Sequence, residues 1–338
     1  LIQAQAQWDD DPATVANFVW PYLGHADRHI RYAARIALEQ QPVAVWQSRV
    51  FAEQDPSALI TAAIALARQG GAEAQSPLLK ALDRVPFETL PESEQLALLR
   101  AWSLSFIRLG APADDVAARL ASKLDPFYPS TSRWVNRELC NLLVFLKSPD
   151  VIPETLALLE RPDEHTPQEL SELLARNQGY GRSIAAMLAN HPDTQKLFYL
   201  LALRNLKTGW TLDQRKAYFD AVVAAREKSG GNSYQRFLTN IDREAFENAS
   251  ELERLAIEAS GARQPYKPPP LPQPDGPGRD WTLDDLLALA GEQPIRGRDF
   301  KNGEKMFAAT RCVICHRFAG DGGATGPDLT QAAGRFAY

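Results

Sequence analysis

The chain has few of the residues that would support several common classes of function. Its 338 residues include only three cysteines, and Cys140 lies far from the pair Cys312 and Cys315. A zinc ribbon needs two such pairs at comparable spacing, so these cysteines do not form one. The formal net charge of −5 gives no basic footprint for nucleic acid. No apolar run approaches the roughly 20 residues that cross a bilayer.

No secretory signal peptide is present, which is uninformative if the N-terminus has been removed. The chain begins at Leu1 without an initiator methionine, and we expect it to be a piece of a longer protein. Cys140 stands among leucines and is expected to be a small buried hydrophobic residue. His25 and His29 are four positions apart and share a helix face. With no third ligand in view, they are expected to be solvated surface residues rather than metal ligands.

The most specific pattern present is Cys312-Val313-Ile314-Cys315-His316. Two cysteines three positions apart, with a histidine after the second, are typical of covalent attachment of a c-type haem. Each sulfur forms a thioether with one vinyl group of the porphyrin, and the turn between them brings the imidazole under the iron. Half of a zinc site is an alternative that lacks its second pair. A redox-active dithiol is another, but it would sit in a βαβ setting that is absent here.

The flanking residues extend the pattern. Residues 299–307 are predicted to form a short helix, with Gly303 and Phe307 on one face. A glycine-dense loop follows the motif at 320–327. This arrangement resembles the first half of a class I cytochrome c, which implies one haem c held by Cys312 and Cys315, with His316 as the iron ligand. The resemblance also implies that the carbonyl of Pro327 accepts the Nδ1 proton of His316; the alternative is an ordinary turn proline.

The resemblance stops short of the sixth iron ligand. Class I cytochromes supply a methionine well downstream of the motif, and this chain has no methionine after His316. Met306 precedes the motif within the predicted helix, where packing is the simpler role, and Met187 lies far away in sequence. We expect the sixth ligand to be outside this chain. The alternatives are a five-coordinate iron and a site completed by another chain.

Residues 1–261 show the periodicity of amphipathic helices. Residues 27–38 and 55–66 carry apolar residues at i, i+3, i+4, i+7 and i+8. A third stripe lies within 139–146. The first of these segments resembles the second helix of a HEAT repeat, and helix pairs recurring at about 30 to 40 residues predict a helical solenoid. No segment is predicted to be a strand.

Two of the predicted helix starts combine capping residues with a preceding tryptophan. Thr211 precedes Gln214 by three positions, and Thr282 precedes Asp285 by the same spacing, which is the pattern of a reciprocal cap. Trp210 and Trp281 stand directly before the two caps. An apolar residue at that position can pack on the first turn of the helix.

Seven prolines between 265 and 277 mark a boundary. Proline removes backbone donors and fixes φ, so both helix and sheet are excluded there. The segment is expected to be a semi-rigid tether in the polyproline form, which would let the module beyond it move between electron donor and acceptor. The predicted all-α chain therefore has a HEAT-like domain at 1–261, a proline-rich linker at 262–280, and a partial cytochrome c domain at 281–338.

Residues 204–210 and Tyr218-Phe219 resemble the helical region of large exported bacterial proteins. These combine a quinoprotein-dehydrogenase-like β-propeller, a HEAT-like middle and a C-terminal cytochrome c domain; the propeller is absent here. The resemblance implies electron transfer in a multidomain oxidoreductase, with the helices as a docking scaffold. It also implies a redox partner protein or dehydrogenase domain. Bacteria attach haem c outside the cytoplasmic membrane, so a periplasmic or cell-surface location is expected. No catalytic residue is identified, and the alternative function is an interaction scaffold with a sensory or structural haem.

Overall fold

The computed structural model describes most of the chain, and the regular secondary structure of the described residues is almost entirely helical, as predicted. Met187 lies outside them, as do parts of the proline-rich segment, the glycine loop and the C-terminus. By backbone contacts the chain divides into two compact units, Leu1–Leu158 and Leu159–Tyr338. The domain boundaries at 261 and 281 stay predictions. The described residues are 11–162, 192–228, 231–267, 270–274, 278–292, 297, 299–323, 326–330 and 332–335.

The first unit is built from short helices joined by tight turns. Its α-helices are α1 Pro12–Val19, α2 Arg28–Glu39, α3 Gln47–Ala52, α4 Pro56–Gln69, α5 Gln75–Leu82, α6 Glu92–Leu109, α7 Asp114–Leu124, α8 Arg133–Leu146 and α9 Val151–Glu160, the last of which runs past Leu158. Single 3₁₀ turns lie at Trp20–Tyr22, Val43–Val45, Ala72–Ala74, Phe87–Thr89 and Asp125–Phe127.

The predicted helix starts and stripes explain this unit. Asp27 caps α2 by accepting a hydrogen bond from the backbone N–H of His29 at 2.7 Å. Asp55 caps α4 in the same way, with Pro56 at the first helical position. The leucines of the 139–146 stripe are all buried in α8. Helix α2 packs on α4, α4 on α6, and α6 on α8, so every second helix is a neighbour. The solenoid itself stays a prediction.

The second unit contains a helical block and the motif-bearing segment. Helix α11 packs against α10, α12 and α13. The elements are α10 Thr194–Leu203, α11 Leu212–Arg226, α12 Gly231–Glu247, α13 Glu251–Ser260, α14 Leu283–Glu292, α15 Phe300–Ala309, α16 Cys312–Cys315, β1 Arg317–Phe318, β2 Asp321–Gly322 and α17 Ala332–Arg335.

The predicted cap of α11 is present. The Thr211 hydroxyl accepts from the backbone N–H of Gln214, and the Gln214 side chain accepts from the backbone N–H of Thr211. Trp210 packs edge-on against the Tyr218 ring of this helix, with centroids 5.6 Å apart, and also contacts a charged residue in the first turn. The guanidinium of Arg215 lies 4.4 Å from the Trp210 ring centroid, so a cation–π contact fixes the start of this helix.

The expectation that no segment forms a strand is wrong for four residues. Strands β1 and β2 pair as an antiparallel hairpin in which Arg317 faces Gly322 and Phe318 faces Asp321. The two turn residues, Ala319 and Gly320, have φ values of 52° and 96°. Positive φ at both central positions is the two-residue turn that matches the twist of paired strands. Two-residue strands are too short for an alternating pattern to show in the sequence.

The proline-rich segment has neither helix nor strand at its described residues, 265–267 and 270–274. Its start is anchored to the helical block. Arg263 donates from Nε and Nη2 to Oδ2 of Asp242, at 3.0 and 2.9 Å, and its guanidinium lies 4.0 Å from the Phe246 ring centroid. The Tyr266 ring lies 5.9 Å from the guanidinium of Arg226.

Within the described residues, no helix is long and apolar enough to cross a membrane.

Candidate functional site

The Cys312–His316 motif follows directly on helix α15. The carboxylate of Asp299 caps the start of α15 by accepting from the backbone N–H of Lys301 at 2.9 Å. At the other end, Arg311 has a left-handed backbone with a φ of 66°, which ends α15 and turns the chain into the single-turn helix α16. The backbone N–H of His316 donates to the carbonyl of Cys312 at 2.9 Å, so the turn closes beside the histidine.

We call α16 the attachment turn (Cys312–Cys315). Both of its cysteines carry exposed free thiols, and residues three apart in a helical turn share a face. Thr310, which the sequence did not single out, orients the first of them. Its hydroxyl donates to the carbonyl of Met306 at 2.7 Å and lies 3.4 Å from Sγ of Cys312. Because the hydroxyl proton is committed to Met306, the oxygen accepts from the thiol of Cys312.

The imidazole of His316 is held by the loop that follows the hairpin. Its Nδ1 lies 2.9 Å from the carbonyl oxygen of Pro327. A carbonyl oxygen can only accept, so Nδ1 carries the proton in this contact and Nε2 keeps its lone pair. A metal-ligating histidine commonly donates its other ring N–H to a backbone carbonyl, which fixes the tautomer and the ring orientation. The side chain of His316 is half-buried, which leaves it accessible from one side.

Glycines let this loop approach the attachment turn closely. The backbone N–H of Gly323 donates to the carbonyl of Val313 at 2.8 Å, and that of Gly326 donates to the carbonyl of Cys315 at 2.7 Å. A Cβ at Gly326 would lie 2.7 Å from Cε1 and 2.8 Å from Nδ1 of His316, and one at Gly323 would lie 2.0 Å from the carbonyl oxygen of Ile314. The glycine density was visible in the sequence, but these long-range contacts were not.

On the predicted Gly303–Phe307 face of α15, the ring of Phe307 packs against another ring, whereas Gly303 has no close neighbour among the described residues. The Phe307 ring lies 6.4 Å from that of Phe318, which also packs at 5.9 Å against Phe300. These centroid separations are within the range of favourable aromatic pairs. A Cβ at Gly303 would meet no atom within 4 Å among the described residues. The aromatic cluster therefore fixes α15 against the hairpin.

The other candidate groups are separate from this site. His25 and His29 are exposed, as expected, and the described residues contain no group of three potential metal ligands. Cys140 is buried, which confirms the prediction. Burial raises the pKa of the Cys140 thiol to about 11, and hydrogen bonds with Tyr128 and Thr155 only partly offset this. Cys140 is thus a thiol with little tendency to ionise.

Residues 300–338 match the family model for cytochrome c. This segment is a cytochrome c domain. Its matched residues include the attachment turn, His316 and the loop through Pro327, so the family match and the local geometry coincide. The match supports haem c as cofactor and haem-based electron transfer in general. No curated protein and no solved structure matches the chain.

The residues of the cytochrome c domain fit a covalently attached haem on three grounds. The two thiols are accessible and unbridged. The imidazole presents Nε2 while its Nδ1 is bound to a main-chain oxygen. The glycine at 326 leaves the ring room to take that orientation. The individual roles of Cys312, Cys315, His316 and Pro327 toward haem stay predictions.

Proposed function

We propose that this chain carries a single covalent haem c and transfers single electrons as part of an exported multidomain oxidoreductase. The observation that carries the proposal is the contact between Nδ1 of His316 and the carbonyl of Pro327. A surface histidine without a ligand role has no need of a fixed tautomer. Here a glycine-lined loop supplies one, next to two exposed cysteines.

Each side chain has a distinct role in the proposal. Cys312 and Cys315 anchor the porphyrin by thioether bonds, and His316 ligates the iron through Nε2. Pro327 holds the imidazole through its main-chain oxygen, which raises the basicity of the ligand. Bound haem c supplies a one-electron iron couple whose potential depends on the axial ligands, the hydrogen bonds and the burial around it. The sixth ligand is proposed to come from outside these residues.

The surroundings of the haem are also part of the proposal. The HEAT-like helices serve as a docking scaffold that holds the cytochrome c domain near a redox partner protein or a dehydrogenase domain. The location is proposed to be periplasmic or otherwise outside the cytoplasm, because bacteria attach haem c there. What supports the scaffold role is the packing of α11 against three neighbouring helices, which forms a stable base in the same unit.

The test is expression in a periplasm equipped for cytochrome c maturation. The chain should keep haem peroxidase stain on a denaturing gel, and its intact mass should rise by one haem. The double variant Cys312→Ser/Cys315→Ser should lose both signals, whereas Cys140→Ala should keep them because Cys140 is buried away from the motif. A colourless wild-type chain from a competent host would overturn the proposal.

The alternative, an interaction scaffold with a sensory or structural haem, is separated by ligand binding. An electron carrier with both axial sites filled should bind carbon monoxide slowly when reduced, and should titrate reversibly with a redox mediator. Because the sixth ligand is proposed to come from outside these residues, the sample must include the segment or partner that supplies it. Rapid binding of carbon monoxide by that sample would favour the sensor, because it requires an open sixth position. The measurement is the change in the Soret band after mixing the reduced protein with carbon monoxide.

A further inference from the structure

The attachment turn lies against helix α12 of the helical block. Helix α12 packs one face against α10 and α11, and that face buries Tyr234, Leu238, Ile241 and Ala245. Its remaining surface exposes the polar side chains of Arg236 and Asn240 and also the ring of Phe237, which is 36% exposed. The turn that carries the motif is therefore not held only by the proline-rich segment. It has a second point of contact on the folded block.

The attachment turn is asymmetric in its exposure. Val313 and Ile314, the two residues between the cysteines, are half-buried, whereas Cys312 and Cys315 are exposed. The apolar side chains and the sulfurs thus differ in their access to solvent. A contact made through Val313 and Ile314 leaves both sulfurs free for the porphyrin.

We propose that α12 is the docking face of the cytochrome c domain in the haem-loaded protein. The Val313–Ile314 side of the attachment turn faces α12, and both sulfurs face away from it. The inference rests on the proposed function for the presence of haem. It goes beyond that function by naming the helix that positions the haem and the orientation in which the turn is held.

A small contact is sufficient because the two partners belong to one chain. Two surfaces linked in one chain meet at an effective concentration set by the linker, so even a weak contact can stay formed. The anchor between Arg263 and Asp242 helps, because Asp242 belongs to α12 itself. The linker thus starts from the helix on which the attachment turn rests.

The test is a distance measurement in the haem-loaded full chain. A nitroxide is placed at the exposed end of α12 by Glu247→Cys. Cys140 is buried, and the other two cysteines are consumed by haem, so the label is selective. Helix α12 has 17 residues, about 25 Å of length. Docking predicts a single narrow iron–nitroxide distance below about 35 Å. A broad distribution without a preferred value would overturn the proposal.

Two variants test the orientation. Val313→Asn/Ile314→Asn removes the apolar side chains between the cysteines and should broaden the distance distribution. Lys301→Asn, an exposed position on α15, should leave the distribution narrow. If the double variant also stays narrow, the turn does not dock through these residues and the proposed orientation is wrong.

A haem-free arm keeps docking separate from haem attachment. In Cys312→Ser/Cys315→Ser, nitroxides at Glu247→Cys and Lys301→Cys report the same contact without iron. A narrow nitroxide–nitroxide distance distribution in this variant supports docking. If the wild-type chain nevertheless binds no haem, only the proposed function is wrong. A broad distance in this arm together with bound haem in the wild type would remove docking alone.

Discussion

At the scale of single residues, Gly326 controls the orientation of the proposed iron ligand. A Cβ there would lie 2.7 to 3.1 Å from three atoms of the His316 ring, so the ring or the loop must move. We expect Gly326→Ala to break the contact with Pro327 and to lower the unfolding free energy by roughly 1–3 kcal/mol, the usual cost of overpacking. Urea unfolding followed by the Soret band measures this, and the reduction potential should shift in the same variant.

Gly303→Ala is the matched control. Gly303 lies inside α15, and its Cβ would meet no described atom within 4 Å. Alanine in a helix interior is more stable than glycine by about 0.5–1 kcal/mol. The control should therefore raise stability slightly and leave the Soret band unchanged. Equal losses in both variants would contradict the close approach at Gly326.

The cysteines of the haem-free chain should differ in reactivity. Cys312 and Cys315 are exposed, while Cys140 is buried with a pKa raised to about 11 by burial. Since the thiolate is the reactive form, we expect two fast thiols and one that reacts only after unfolding. Titration with a chromogenic disulfide reagent at pH 8, with and without urea, gives the counts. Three fast thiols in the folded chain would be inconsistent with a buried Cys140.

At the scale of secondary structure elements, Glu253 performs two tasks at the start of α13. Its Oε2 accepts from the backbone N–H of Ser250 at 2.7 Å, which completes a capping box. Its Oε1 accepts from Nε of Arg215 on α11 at 3.1 Å. Arg215 is fully buried and also lies over the ring of Trp210. One carboxylate thus caps α13 and compensates a buried charge on α11.

Glu253→Gln should keep the cap of α13 but remove the charge that compensates Arg215. The amide can still cap α13, but it leaves the buried guanidinium of Arg215 without an opposite charge. We expect a loss of roughly 3 kcal/mol, the lower end for breaking a buried pair, because part of Glu253 remains accessible. Glu251→Gln, an exposed acid in the same first turn, should cost less than about 0.5 kcal/mol. Similar losses of unfolding free energy in both variants would attribute the effect to the interaction of the carboxylates with the helix dipole, and not to the buried ion pair.

The same pair predicts a pH dependence with a definite sign. Burial by itself raises the pKa of Glu253, but hydrogen bonds from Ser250 and the guanidinium of Arg215 bring the pKa below its usual 4.5. A carboxyl whose folded pKa is lowered stabilises the protein above its unfolded pKa, and this is lost as pH falls through the folded value. The difference in unfolding free energy between wild type and Glu253→Gln should be constant above about pH 5 and shrink at lower pH. Urea titrations at pH 7, 5 and 3.5 test this.

The sequence predicts these elements well where the signal is local. The stripe of α8 and the cap of α11 need only the spacing of a few neighbouring residues, and both are confirmed. The burial of Arg215 was missed, although it shares the spacing of Tyr218, Phe219 and Val222, which are all buried. A charged residue at a core position indicates that an oppositely charged residue, distant in sequence, compensates it. The identity of that partner, 38 residues away, depends on packing between helices.

The site shows the same limit. Its residues follow from the spacing of the motif, and the family match covers them. The role of Thr310 and the close approach of Gly323 to Ile314 depend on how the loop returns to the attachment turn. A loop of this kind has no periodicity from which its path could be predicted. The type of chemistry was therefore predictable, whereas the support around it was not.

At the scale of the whole molecule, the chain contains two units with separate buried ion pairs. In the first, the carboxylate of Glu39 pairs with Arg35 at 2.5 Å and with Arg68 at 3.1 Å, and its side chain is almost fully buried. In the second, Arg215 pairs with Glu253. Because the two ion pairs share no residue, we expect a variant in either pair to change the stability of its own unit alone.

We expect urea unfolding to show two transitions. Glu39→Gln should lower only the transition of the first unit, and Glu253→Gln only that of the second, which the haem absorbance follows. The double variant should show both losses unchanged, since residues without shared partners are additive. Tryptophan fluorescence, far-ultraviolet circular dichroism and Soret absorbance together assign the transitions. A single transition shifted equally by both variants would show that the units unfold together.

The anchor of the proline-rich segment limits how far the proposed haem could move from its proposed docking face on α12. Helix α13 is followed by Gly261, but Arg263 and Tyr266 hold the first residues of the following segment on the helical block. The predicted tether would then extend over residues 267–281, and 15 residues in the polyproline form at about 3.1 Å per residue would reach roughly 46 Å. An electron acceptor beyond that radius would have to come to the haem. Inserting residues after Lys267 would increase the distance that the tether can span, whereas inserting residues before Arg263 would not.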